Sequence, residues 1–399
     1  MNNANTVQQR SRWDVAMDAV YLMSCALHGA VPDLERVGDL DALFHYCNNH
    51  SITAMVAMAL ESAWRITPPE DVAASTPWKQ AKEKAIRKNI LLNAERERIL
   101  SYLDSIGCWY MPLKGSFLQH DYPKFGMRQM SDNDILYDAS FTQQVYEFMC
   151  GSGYTAKSFG KFNHDEYTKA PVYNFEMHRN LFSQLAGKAI FDYYLDAQRL
   201  FMKDVHNQCG YHLSHEDFYV YMIAHAYKHF YQGGTGIRSL VDVYVFVDKH
   251  GENMDWDYAE GELEKLGVLD YDRQCRSIAQ KLFGQVSEVV LAETENEFLS
   301  KFLDAGTYGN KQQMVENALD RMEKSGSSGG LVMKMRYFWD RLLPPLEFMA
   351  VLEPDLQEHP WKLPLAYIRR LFRAVFLKPM RVIREVTYLA KSKRSAKDK

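Results

Sequence analysis

The sequence predicts an α+β fold in which a short strand-bearing segment sits between two long helical regions. Three observations predict it. Residues 11–107 carry apolar side chains at three- and four-residue spacing, with no strand signal between them. The texture changes at Cys108, where short aromatic and apolar runs alternate with Gly, Pro and Asp as far as His178. Beyond Asp192 the helical spacing returns.

Each element has a local reason. Asp14 to His28, Leu40 to Asn48 and Ile52 to Trp64 have one apolar face each. A longer helix is expected from Thr76-Pro77, where Pro suits a first turn, to the stop at Gly107. Cys108 to Leu113 reads as a strand entering a core, followed by a Gly115 turn and a short helix over Ser116 to His120. A loop with Tyr122, Pro123, Gly126 and Arg128 leads to a strand over Asn133 to Tyr137. A helix over Phe141 to Cys150, capped by Ser140, ends at Gly151 and Gly153.

Three more strands are expected near Tyr154 to Phe159, Asp165 to Ala170 and Val172 to His178. The last alternates, so Tyr173, Phe175 and Met177 share one face while Asn174, Glu176 and His178 share the other. Ser214 and Asp217 open a helix over Glu216 to Tyr231, and the Gly233 to Gly236 loop connects it to Ile237 to Lys249. Further helices are expected over Trp256 to Leu266, Asp272 to Phe283 and Glu295 to Leu303. KSGSSGG, Lys324 to Gly330, reads as a linker. The C-terminal stretch from Tyr367 is basic and amphipathic, with Ile368, Leu371, Phe372, Val375 and Phe376 on one face, Arg369, Arg370 and Arg373 beside it, and Pro379 as a break.

Composition limits the function classes. With 399 residues, 47% of them hydrophobic, the chain can bury more than one core. A net charge of -4 gives no overall footprint for nucleic acid, and no sequence-specific nucleic-acid partner is expected. The six cysteines lack metal-finger or C-x-x-C spacing and read as reduced thiols. The polar start and the absence of a long apolar run make a cytoplasmic protein the expectation.

The chemistry concentrates in Met111 to Tyr137. Asp132 and Asp134 lie two residues apart, so on a strand both carboxylates project to the same side. Like charges so placed call for a cation, and oxygen ligands beside phosphates suit Mg²⁺. Glu176, on the polar face of a later strand, would complete a three-carboxylate cluster of the two-metal kind. Gly115 would let the backbone approach a triphosphate, Ser116 offers a hydroxyl and an N–H, and Lys114 or Arg128 can offset phosphate charge.

A Gly-Ser turn, then Asp-x-Asp on a strand, then an acid in a later strand resembles the DNA polymerase beta-like nucleotidyltransferase superfamily. LKG, YP, G-x-R, SDNDIL and FEMH resemble, more closely, the bacterial uncharacterised nucleotidyltransferases often encoded among surface-polysaccharide genes; this likeness runs from about Asn93 to Lys249. The resemblance implies a small mixed β-sheet nucleotidyltransferase core flanked by N-terminal and C-terminal helical regions. It implies transfer of a nucleoside monophosphate from a nucleoside triphosphate, with Asp132 and Asp134 holding two Mg²⁺ ions, or Mn²⁺ in their place, and Glu176 holding the catalytic one. It extends to His225, His229, Arg238 and Asp242 as residues lining the nucleotide or acceptor side of the cleft. A polar network packing helices explains those four equally well. Asn133 departs from the family pattern, which has an apolar residue between the acids.

The expected organisation is an N-terminal helical region over residues 1–107, the core over 108–202, helices closing the cleft over 203–323 and a C-terminal segment over 331–399. The acceptor is open between small molecule, glycan and protein. Rival readings are a non-catalytic nucleotide- or partner-binding module, or a protein-modifying, antitoxin-like transferase. His178 reads as a polar-face neighbour rather than a metal ligand, HAYKH lacks the glutamate of a zinc protease motif, and the Gly233 loop lacks the Lys-Ser/Thr of a phosphate loop. The basic C-terminal stretch is a solvated face or a peripheral membrane contact.

Overall fold

The computed structural model describes residues 10–69, 72–160, 162–307, 309, 311–324, 330–353, 355–377 and 379–391. Helices α1 (Arg12–His28), α2 (Leu40–His50) and α3 (Thr53–Trp64) open the chain. Ser11 and Asp14 form a capping box on α1, and Gly29 closes it at φ 65°. Asp39 caps α2 by accepting from the Asp41 and Ala42 N–H groups.

Helix α4 (Val72–Ser105) begins before Thr76, contrary to the sequence expectation, and takes Pro77 inside its second turn. Pro77 withholds one backbone donor near the open end of a long helix, where the loss is small compared with the packing of the remaining length.

Then come β1 (Tyr110–Pro112), the single turn α5 (Gly115–Leu118), β2 (Asn133–Tyr137), α6 (Thr142–Gly151), β3 (Thr155–Ala156), β4 (His164–Lys169) and β5 (Tyr173–His178). Ser140 does not cap α6. Asp138 instead caps a 3-10 turn, Ala139–Phe141, which feeds the helix directly. β3 is also shorter than the Tyr154 to Phe159 run, because beyond it only Lys157 N–H still reaches the Glu166 carbonyl.

The sheet has the order β1-β2-β5-β4-β3. β2 and β5 are parallel and the other pairs antiparallel, so the sheet is small and mixed. Ile135, Tyr137, Phe175, Met177 and Tyr167 face one side and form a core with Leu92, Ile99 and Leu103 of α4 and Val145 and Met149 of α6. Alternation turns Asp134, Leu136, Glu176 and His178 to the opposite side. There Leu136 joins a second core together with Met111 and Leu113.

After α7 (Lys188–Tyr193), β6 (Met202–Lys203) and β7 (Tyr211–His212), that second side is covered by α8 (His215–Gln232) and α9 (Arg238–His250). Next come α10 (Trp256–Lys265), α11 (Leu269–Phe283) and α12 (Glu293–Ala305). Their apolar faces share one continuous core with α1–α3. The arrangement is α+β, with helical regions on both flanks of the sheet.

Helices α13 (Lys311–Lys324), α14 (Gly330–Leu342), α15 (Leu346–Leu352), α16 (Asp355–Glu358), α17 (Leu363–Phe372) and α18 (Pro379–Lys391) complete the chain. Residues 325–329 of the expected linker, and 392–399 of the basic stretch, lie outside the described residues. Between α17 and α18 the winding changes to π over Arg373–Leu377, and the new helix starts at Pro379. Ile368, Phe372 and Phe376 are exposed. Among the described residues no helix is long and apolar enough to cross a membrane, and all six cysteines are free thiols.

Candidate active site

Register builds the acidic wall. In the parallel pairing of β2 with β5, Asp134 lies directly opposite Glu176, so the two carboxylates start from neighbouring strands on the same face. Asp132 precedes β2 by one residue, and the charges of Asp134 and Glu176 both act on it. Asn133 points the other way and is fully buried against α4. It accepts from Arg96 Nη1 at 3.1 Å and donates to the Leu92 carbonyl at 3.2 Å. Those bonds explain how a polar residue occupies an otherwise apolar position.

A polar stripe on α4 holds the loop before β2. Asn89 donates to the Arg128 carbonyl at 2.9 Å and accepts from the Met130 N–H at 3.1 Å. Lys88 donates to the Ser131 carbonyl at 3.0 Å. One turn further along, Asn93 and Gln119 exchange hydrogen bonds at 3.2 and 3.0 Å.

The turn after β1 packs more tightly than the sequence suggests. A Cβ on Gly115 would lie 2.3 Å from Arg128 Nη1 and 2.9 Å from the Met130 thioether, so glycine is needed here for close packing. Ser116 turns its hydroxyl back to the Leu113 carbonyl at 2.5 Å, and its N–H reaches the same oxygen at 3.2 Å. Lys114 sits at φ 49°, a left-handed conformation that is unusual outside glycine. Its ammonium donates to Asp134 Oδ1 at 2.5 Å.

The two acids are therefore treated differently. Asp134 is buried, which by itself would raise its pKa, but Lys114 and His178 Nε2, at 2.8 Å, outweigh burial and hold the carboxyl well below the usual carboxylate range. Asp132 has no ion pair among the described residues. Burial, then the Asp134 charge, push its carboxyl up to about 6. Burial would lower the Lys114 ammonium, yet Asp134 keeps it firmly protonated.

Helix α8 forms the opposite wall. Tyr221, His225 and Lys228 lie at i, i+4 and i+7, and each feels the charge of Lys114. Burial lowers Lys228 to about 8, with Lys114 adding to the effect and Glu176 and Asp134 opposing it. His225 and His229 approach at 3.0 Å between their Nε2 atoms, and burial keeps both neutral. The Tyr221 hydroxyl is buried with no hydrogen-bond partner among the described residues. Tyr221 and Lys228 were missed from sequence, although helical spacing from His225 would have found them.

Arg128 and Asp242 pair with each other. Arg128 Nε and Nη2 reach the two Asp242 oxygens at 2.8 and 3.0 Å, and the Tyr122 hydroxyl donates to the same carboxylate at 2.7 Å. This buried fork ties the loop before β2 to α9. Arg238 donates to the Gln129 carbonyl at 2.8 Å and feels the Asp132 charge. Thus Lys114, Glu176, His225, His229 and Arg238 surround the acid pair, Ser116 and Gly115 shape the turn, and Arg128 with Asp242 braces it. Beside Ser131 an open hollow of about 600 Å³ is lined by Lys84, Lys88 and Lys169.

The carboxylates fit hard cations through oxygen ligands, and the neighbouring His164, Glu176 and His178 bring ligand atoms within 4.8 Å of one another. No curated protein and no solved structure matches the chain. The family model described as "Uncharacterised nucleotidyltransferase" matches residues 37–284, from α2 to the end of α11. That span takes in the sheet together with α4, α8 and α9, and the chain belongs to this family of uncharacterised nucleotidyltransferases.

Proposed function

We propose that the chain transfers a nucleoside monophosphate from a nucleoside triphosphate to an acceptor hydroxyl or phosphate, with release of pyrophosphate, using divalent ions held by Asp132, Asp134 and Glu176. The observation that carries this reading is the direct opposition of Asp134 and Glu176 across β2 and β5, with Asp132 one residue before β2 and without an ion pair among the described residues. An unneutralised, partly buried carboxylate beside a second one fits a cation better than it fits water. Bound magnesium would neutralise the phosphates and polarise the α-phosphorus.

The chain's own residues do the rest. Asp132 and Asp134 would hold the ions that neutralise the triphosphate, and Glu176 would also accept the proton of the attacking group. Lys114 and Arg238 offset the charge that builds on the departing pyrophosphate, and Lys228 attracts the triphosphate equally before and during transfer. Tyr221 offers an unused hydroxyl to the nucleotide. The lysine-lined hollow beside Ser131 favours an acceptor that carries negative charge, in keeping with a role in surface-polysaccharide metabolism.

The test is incubation with each of the four labelled triphosphates, Mg²⁺ and cell extract, followed by separation of products. Transfer from one triphosphate with pyrophosphate release is expected, and Asp134→Asn should lower turnover by at least about 100-fold, the usual scale for losing a transition-state charge contact. Absence of transfer from all four by folded protein would sink the proposal. The Lys114–Asp134–His178 network, which neutralises one acid without an ion, favours a second reading as a nucleotide-binding module. Nucleotide binding without pyrophosphate release would select it.

A further inference from the structure

We propose that His164, Glu176 and His178 form a binding position for one borderline transition-metal ion, of the zinc and cobalt class, on the flank of the acidic wall. This does not rest on the transfer reaction. β4 and β5 pair antiparallel with His164 directly opposite His178. Glu176 lies two residues before His178 on the same strand, so the three side chains rise from one face. The imidazole centroids are 4.8 Å apart with planes inclined by 34°.

The spacings are those of ligands sharing an ion. His164 Nε2 lies 3.6 Å and His178 Nε2 3.5 Å from Glu176 Oε2. Such separations are too long for good hydrogen bonds. Two donors each about 2.0–2.2 Å from a tetrahedral ion lie roughly 3.3–3.6 Å apart, which matches them. All three donor atoms fall within 4.8 Å of one another, and Asp132 is not in the group.

The donor set decides the kind of ion. Two imidazole nitrogens and one carboxylate suit zinc or cobalt, whereas magnesium takes oxygen ligands in a strict octahedron. His178 is buried, while the side chains of His164 and Glu176 are 27% and 23% exposed, so an ion enters from the His164 side. His178 Nε2 now donates to Asp134 Oδ1 at 2.8 Å. Binding requires that nitrogen to give up its proton, to solvent or to Nδ1 of the same ring, and to turn toward the ion, leaving Asp134 to Lys114, so occupation of this position is linked to the acid pair through two shared residues.

The test uses the metal alone on the full chain, stripped by chelator and free of nucleotide. Co²⁺ titration followed by visible absorption should show one saturable equivalent, displaced by Zn²⁺ and not by excess Mg²⁺. His164→Ala should weaken Co²⁺ binding by at least about tenfold, as loss of a metal-supporting residue does. Asp132→Asn should leave it within about twofold. His164→Gln replaces the alanine variant if circular dichroism shows the latter unfolded. No saturable binding, displacement by Mg²⁺, or equal damage from Asp132→Asn and His164→Ala would overturn the proposal. The readout is ion binding, so an inactive transferase would leave it standing.

Discussion

The two walls of the cleft are built by different means. The sheet wall carries Asp132, Asp134 and Glu176, set by main-chain pairing between β2 and β5. The helical wall carries Tyr221, His225, Lys228 and His229 on one stripe of α8, set by packing against the core that also holds α1–α3. Pairing fixes side chains to within one residue of register, because a slip would turn every one to the other face. Packing fixes them only once distant segments have come together. The first wall concentrates negative charge and the second holds neutral imidazoles and a weakened lysine, so the cleft is polarised across its width.

The largest expected effect tests the brace between the loop before β2 and α9. Asp242→Asn leaves the Arg128 guanidinium buried and half-paired, and should cost about 3–5 kcal/mol of stability in denaturant melts. Replacing both partners, Arg128→Met with Asp242→Leu, should recover much of that loss. If the single variant melts like the parent, the loop before β2 is not held to α9 through this pair.

A smaller effect separates the two acids of the sheet wall. Burial and the neighbouring Asp134 charge push the folded-state Asp132 carboxyl up to about 6, above its ordinary value of 3.8, so the folded chain binds this proton more tightly than the unfolded one. Its ionisation therefore lowers stability as pH rises from roughly 4 to 6, and the penalty persists above that range. Asp132→Asn should match the parent near pH 4 and exceed it at pH 7 by about 1–3 kcal/mol in metal-free buffer. Added Mg²⁺ should stabilise the parent and not the variant. A parent that is the more stable of the two at pH 7 without metal would contradict the unpaired state of Asp132.

The smallest effect probes the helical wall. Lys228→Ala should raise the KM for nucleotide by about five- to tenfold, roughly 1 kcal/mol, with kcat nearly unchanged, because its charge acts on bound substrate and transition state alike. A fall in kcat with KM unchanged would place Lys228 at the reacting phosphate instead.

Much of the sheet wall was legible before folding. Asn133 to Tyr137 is a strand with the bounds read from sequence, and the alternation of β5 put Glu176 and His178 on one face. Ser214 caps α8 as its spacing with Asp217 implied. Less legible were the roles of Gly115 and Arg128. Gly115 reads as a phosphate-approach glycine, yet its missing Cβ makes room for Arg128 and Met130. Arg128 reads as a free cation, yet it pairs with a carboxylate more than a hundred residues away. Asn133 broke a pattern until Arg96 supplied its partner.

The sequence by itself determined the α+β class, the strand that carries the acid pair and the parity that puts Glu176 and His178 on one face, because period-two and period-3.6 patterns act over a few residues. Only the tertiary structure decided that Asp134 is neutralised by Lys114 and His178 while Asp132 stands unpaired. It also decided that His164 lies opposite His178 across β4 and β5 and within 3.6 Å of Glu176, and that Lys228 lies near the charges of Glu176 and Asp134. Charge pairing and desolvation depend on distances of a few ångströms between segments far apart in the chain, and local patterns do not set those distances.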